Sequence, residues 1–149
     1  MNRFALVVLV AAGLAIAGGF KFAIGSPVAA QEPAAKMAAF VFRTEGCAEP
    51  AQAQITATAE GMVRGARKSQ ALKVTAMQRP GVYAVFQTWE KDGQWVVVLN
   101  GSCEAEAAGA IVPIGPKGFV RESAKFFPSE VPGAEIEASL KSLAKGESR

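Results

Sequence analysis

Hydrophobic positions change period along this chain. Residues 4–20 form an uninterrupted apolar run of 17 positions, bounded by Arg3 and Lys21. Past residue 37 the apolar residues instead recur two apart, the spacing that lines one face of a β-strand. Phe40 and Phe42 share such a face over 38–43. The stretch 52–64 carries Ile55, Thr56, Thr58 and Val63, a β-branched content that favours a second strand. Over 69–77, Leu72, Val74 and Ala76 alternate with Lys73 and Thr75, as expected of a half-buried strand. The runs 82–90 and 94–100 flank Lys91-Asp92-Gly93, and Asp-Gly between two β-rich runs predicts a hairpin. In its first arm Tyr83, Val85, Gln87 and Trp89 share a face. In its second arm Trp95, Val97 and Leu99 oppose Val96 and Val98, so both faces are apolar and the arm reads as a central strand.

Polar punctuation separates these runs. Gly46 and Pro50 mark a turn after the first strand, 65–68 a second, and Arg79-Pro80-Gly81 a third. A further strand is expected over 107–114, stopped by Gly115-Pro116-Lys117-Gly118, with Phe119 and Val120 returning as its partner. Residues 122–131 read as irregular. The period then changes to that of a helix: Ile136, Leu140 and Leu143 fall on one helical face within 135–144. Glu135 and Glu137 in its first turn and Lys141 and Lys145 near its end suit the helix dipole, and Gly146 is expected to stop it. The pattern therefore predicts a mainly β domain of six to eight short strands with one short C-terminal α-helix.

The apolar run reads as a secretory leader. A short n-region with Arg3 precedes it, and Ser26-Pro27 leads into Val28-Ala29-Ala30, with small residues at the last and third-last positions before a cut. Cleavage is expected after Ala30, so that 1–30 is signal peptide and 119 residues remain. Of these, 31–37 read as a linker, 38–128 as the β domain and 129–149 as the helix and tail. The competing reading is an uncleaved membrane anchor, since 17 apolar residues lie at the lower limit for spanning a bilayer. A membrane is a partner only on that reading. No cysteine ends the run, which argues against a lipoprotein. The expected location is periplasmic or extracellular.

Export changes how the rest of the composition reads. The whole chain carries formal charge +3, but without Arg3 and Lys21 the balance is 14 basic against 13 acidic residues. The cluster Arg64, Arg67, Lys68 and Lys73 surrounds a turn and is no concentrated nucleic-acid surface. Cys47 and Cys103 are the only cysteines, and in an exported chain they are expected to form a disulfide. Histidine is absent, which removes Ser-His-Asp and Cys-His nucleophiles, His-ligated metals and the commonest general base near neutral pH.

The text Pro80-Gly81-Val82-Tyr83-Ala84-Val85, then Trp89, then 92–101 resembles the penultimate hairpin of immunoglobulin-like periplasmic sandwiches, among them YtkA-like, FixH-like and transthyretin-like domains. The resemblance spans about 22 residues of the 149 and implies a fold, a small immunoglobulin-like β-sandwich, more than a function. Copper-binding members of such groups use histidine and methionine ligands. This chain has no histidine, and Met37, Met62 and Met77 lie far apart in sequence, so no metal site is carried over and no cofactor is expected.

Candidate sites are few. Trp89 and Trp95, with Tyr83, could form an aromatic platform for a small molecule or carbohydrate, or could simply be sandwich core. Phe126 and Phe127 could dock a partner protein, or could tuck over the sandwich edge. The carboxylate pairs Glu104/Glu106 and Glu135/Glu137 lack surroundings that would separate their acidities, as acid–base catalysis requires. The expected function is that of an exported, non-enzymatic module binding an envelope protein or other partner. The alternative is a small-molecule or carbohydrate-binding module using its aromatics.

Overall fold

A computed structural model describes residues 19–147. The n-region and most of the apolar run, residues 1–18, lie outside the described residues, as do the last two. Ten strands form two antiparallel sheets. They are β1 (Lys21–Gly25), β2 (Phe40–Glu45), β3 (Gln54–Val63), β4 (Ala66–Leu72), β5 (Val74–Ala76), β6 (Val82–Val85), β7 (Gln94–Cys103), β8 (Glu106–Gly115), β9 (Gly118–Phe119) and β10 (Lys125–Phe127), followed by helix α1 (Gly133–Glu147). One sheet has the order β1-β2-β6-β5; the other runs β10-β8-β7-β3-β4, with β9 also on β8. The protein is a mainly β sandwich with one C-terminal helix.

Alternation along the strands decides the layering. Trp95, Val97 and Leu99 of β7 face the core between the sheets, with Phe40, Phe42, Val63, Val85 and Val112. Val96 and Val98 face the opposite way and, with Ile111, receive Ile136, Leu140 and Leu143 of α1. β7 is central, as expected of a strand apolar on both faces. Val41 and Ala84, on the outer face of the smaller sheet, are covered by Ala30, Ala35 and Ala38. The residues read as a linker are thus packed: Pro33–Ala35 forms a 3-10 turn, and the Glu32 carboxylate accepts hydrogen bonds from the Gln78 and Arg79 backbone N–H groups.

Cys47 and Cys103 form a disulfide, with Cα atoms 5.8 Å apart. It ties the loop after β2, in one sheet, to the end of β7, in the other. A bridge enclosing 56 positions stabilises the fold by about 4 kcal/mol on the chain-entropy account. Among the described residues no helix is long and apolar enough to cross a membrane.

The structure corrects several expectations. The hairpin across Asp92-Gly93 does not form. β6 pairs with β2 and β5 in one sheet, whereas β7 pairs with β3 and β8 in the other. Residues 86–93 cross between the sheets, carrying Trp89 into the core. The expected strand over 69–77 divides at Lys73: β4 pairs with β3, and β5 pairs with β6 in the opposite sheet. The tight hairpins are elsewhere. Arg64 and Gly65, at φ 47° and 77°, join β3 to β4, and Glu104, at φ 55°, helps join β7 to β8. The irregular stretch 122–131 contains β10, and α1 continues through Gly146 to Glu147.

β1 falls within the segment expected to be removed with the leader. Its register runs from Lys21 opposite Glu45 to Gly25 opposite Val41. Lys21, Ala23 and Gly25 alternate with Phe22 and Ile24, which enter the inter-sheet core together with Phe20.

A candidate functional site at the open edge

The sequence-derived candidates separate in space. Trp89 and Trp95 are 4% and 3% exposed and lie in the inter-sheet core. The Trp95 indole Nε1–H donates to the Asp92 carbonyl at 2.9 Å. Tyr83 stacks on Phe42 at 5.3 Å between ring centroids, and its hydroxyl donates to the Pro50 carbonyl. These rings offer no common face on which a planar ligand could stack. Phe126 and Phe127 part company by strand alternation. Phe127 packs with the α1 layer, while Phe126 points to the other side of its sheet and is 53% exposed.

Phe126 lies where the sandwich is open. β1 is the marginal strand of its sheet and β10 the marginal strand of the other. Between them runs a depression of about 380 Å³ lined by Lys21, Phe22, Ile24, Glu45, Arg121 and Phe126. Ala23, Ile24 and Arg121 also border an adjoining depression of about 480 Å³, which reaches Arg43, Arg79, Phe119 and Glu122. The side of β1 away from β2 pairs with no described strand, so its outward N–H and C=O groups have no strand partner among the described residues.

Charge along this groove is unequal. Lys21, Arg43, Arg79 and Arg121 line it with two carboxylates, Glu45 and Glu122, while the nearby Glu32 carboxylate is taken up by the Gln78 and Arg79 backbone N–H groups. Glu45 is held by Arg43 at 2.8 Å and Lys21 at 3.4 Å. The Arg43 hydrogen bond, followed by that of Lys21, keeps its carboxyl below the ordinary carboxylate value. Among the described residues no carboxylate pairs with Arg79 or Arg121, which leaves both guanidinium groups available to an anion.

Other charged groups serve the fold. Arg67 bridges Glu60 on β3, at 2.7 Å, to Glu137 on α1, at 3.0 Å. Lys68 pairs with Glu90, and Arg64 lies 3.7 Å from Asp92. Of the carboxylate pairs, Glu106 accepts the Phe20 backbone N–H at 2.7 Å and Glu135 pairs with Lys125 at 3.6 Å. Sequence reasoning singled out Phe126 but missed β1, Arg79 and Arg121. The alternation Phe20-Lys21-Phe22-Ala23-Ile24 was the available signal for β1; nothing in the sequence marks the two arginines. Comparison with protein families, with curated proteins and with solved structures finds no match.

Proposed function

We propose that this protein is an exported, non-enzymatic binding module that takes up an extended acidic segment of an envelope protein along β1. One observation carries the reading: half-exposed Phe126 stands beside the unpaired edge of β1, in a groove where four cations face two carboxylates. An added strand finds main-chain hydrogen bonds on such an edge, while flanking side chains select its sequence. Arg79 and Arg121 favour carboxylates, and Phe126 supplies apolar contact. The leader-like sequence and the disulfide support export. The absence of histidine and the engagement of Glu106, Glu135 and Glu137 in structural contacts support a non-enzymatic role.

The test uses the full chain and two synthetic ten-residue peptides, alternating Val-Glu and alternating Val-Lys. The acidic peptide is expected to bind more tightly, to weaken as salt rises, and to move amide resonances chiefly across 21–25. Arg121→Glu should weaken it by about tenfold or more, equivalent to roughly 1.4 kcal/mol. Equal binding of both peptides, or resonance changes centred away from β1, would reject the proposal.

A further inference from the structure

We infer that the leader is released by hydrolysis of the Ala17–Gly18 bond, thirteen residues ahead of the cut expected after Ala30, so that the mature chain keeps β1. This rests on the export reading above. Both positions satisfy the small-residue requirement: Ala15-Ile16-Ala17 as well as Val28-Ala29-Ala30. Burial distinguishes them. Phe20, Phe22 and Ile24 are 4%, 4% and 5% exposed. The fold also closes on them from the other sheet. An ideal Cβ on Gly101 of β7 would lie 2.7 Å from the Phe22 ring and 3.2 Å from that of Phe20, so Gly101 is the residue that lets the strand approach. The Glu106 carboxylate fixes the Phe20 N–H. A cut after Ala30 would remove all three side chains, leave β2 without its partner on that side, and take Ala30 from the layer over Val41 and Ala84.

The sequence before β1 suffices as a leader. Residues 4–14 give eleven apolar positions after Arg3, within the roughly 7–15 of a leader's apolar segment. The later site instead has charged Lys21 between the apolar run and the cut. Gly19, the first described residue, is exposed and precedes the first buried ring, so the buried part of the N-terminal segment begins only at Phe20. Hydrolysis consumes one water and leaves a carboxylate on Ala17 of the leader and an ammonium on Gly18 of the mature chain.

The test is secretion of the full chain by a bacterial host, followed by intact mass, N-terminal sequencing and thiol alkylation. The expected product is 18–149, beginning Gly-Gly-Phe-Lys, with both cysteines protected until reduced. Ala17→Phe should lower the yield of that species more than tenfold. Val28→Arg spoils the later site at a position 84% exposed, and should leave the yield unchanged. A product starting at Gln31 with oxidised cysteines would overturn this inference and leave export standing. An uncleaved chain with oxidised cysteines would overturn it in favour of an anchor. An uncleaved chain with free thiols would overturn the export reading itself.

Discussion

Phe22→Ala is the substitution that most directly measures what β1 contributes to the fold. The ring is almost wholly buried, and it meets Phe20 and Phe42 edge-on, each at 5.5 Å between centroids. Burying a phenylalanine side chain contributes roughly 1.5–3 kcal/mol, and each aromatic pair about 0.5–1.5 kcal/mol more. Part of that is recovered if neighbours relax into the gap. Here the facing residue is Gly101, which has no side chain to move in. The expected loss is therefore about 3–5 kcal/mol, the usual range for Phe→Ala in a core. Unfolding entropy of about 2.1 cal/mol/K per residue, over the 129 residues of 19–147, makes each kcal/mol worth roughly 4 °C. The melting temperature of the oxidised full chain, followed by near-ultraviolet circular dichroism, should fall by about 11–18 °C on this scale. Phe126→Ala, at a half-exposed ring, is the control and should shift it by less than about 4 °C, within the usual surface range. A Phe22→Ala melt within about 3 °C of the wild type, well under the cost of a lost core ring, would refute the assignment of β1 to the core.

Two further outcomes follow from the disulfide and the ion pairs. Replacing both cysteines, Cys47→Ser with Cys103→Ser, should lower the unfolding free energy by about 4 kcal/mol for the loop of 56 positions, read as a shift in the urea midpoint; an unchanged midpoint would mean that the bridge constrains nothing the core does not already fix. Folding holds the Glu45 carboxyl below its ordinary 4.5, chiefly through the Arg43 hydrogen bond, so the folded chain takes up that proton less readily than the unfolded one. The contribution is thus present above pH 4.5 and lost as pH falls through the lower folded value. The stability gap between wild type and Glu45→Gln should be under about 1 kcal/mol, as for other exposed pairs, and should close on acidification; a gap that widens in acid would contradict the sign.

Local periodicity and long-range pairing were unequally legible in the sequence. The faces of β7 could be read because a strand buried on both sides has no polar alternate, and Val96 and Val98 do meet α1 while Trp95, Val97 and Leu99 meet the core. The helix face was legible from a different period: Ile136, Leu140 and Leu143 recur four and three apart, and they are the residues that meet β7 and β8. Pairing was not. Asp92-Gly93 has the composition of a hairpin turn, yet Trp89 is drawn into the core and the chain crosses between sheets, with Gln70 Nε2 donating to Thr88 Oγ1 at 2.7 Å along the way. Burial of a large indole outweighed a local turn preference. At Lys73 the alternation continues unbroken in sequence while the strand changes sheets, because Leu72 and Val74 reach the same core from opposite sides. A period-2 pattern reports which side chains are buried and is silent on the sheet that carries them.

The N-terminal reading turned on the same ambiguity in a different form. Phe, Ala and Ile serve a leader and a buried strand equally well, so composition runs without a break from residue 4 to residue 24, apart from Lys21. Taken as an end to the apolar run, Lys21 places the strand inside the leader. Taken as the outward residue of an alternating set, it places the strand in the fold, where its ammonium reaches Glu45. The two readings differ in function as well as in chain length. A chain beginning at residue 31 has no β1, hence no groove between β1 and β10, and Phe126 stands beside nothing an extended partner could pair with. A chain beginning at residue 18 keeps both the edge and the cations around it. On the proposed export, the position of the cut therefore decides whether the proposed docking edge exists, and N-terminal sequencing of the protein recovered from a secreting host should precede any search for what binds there.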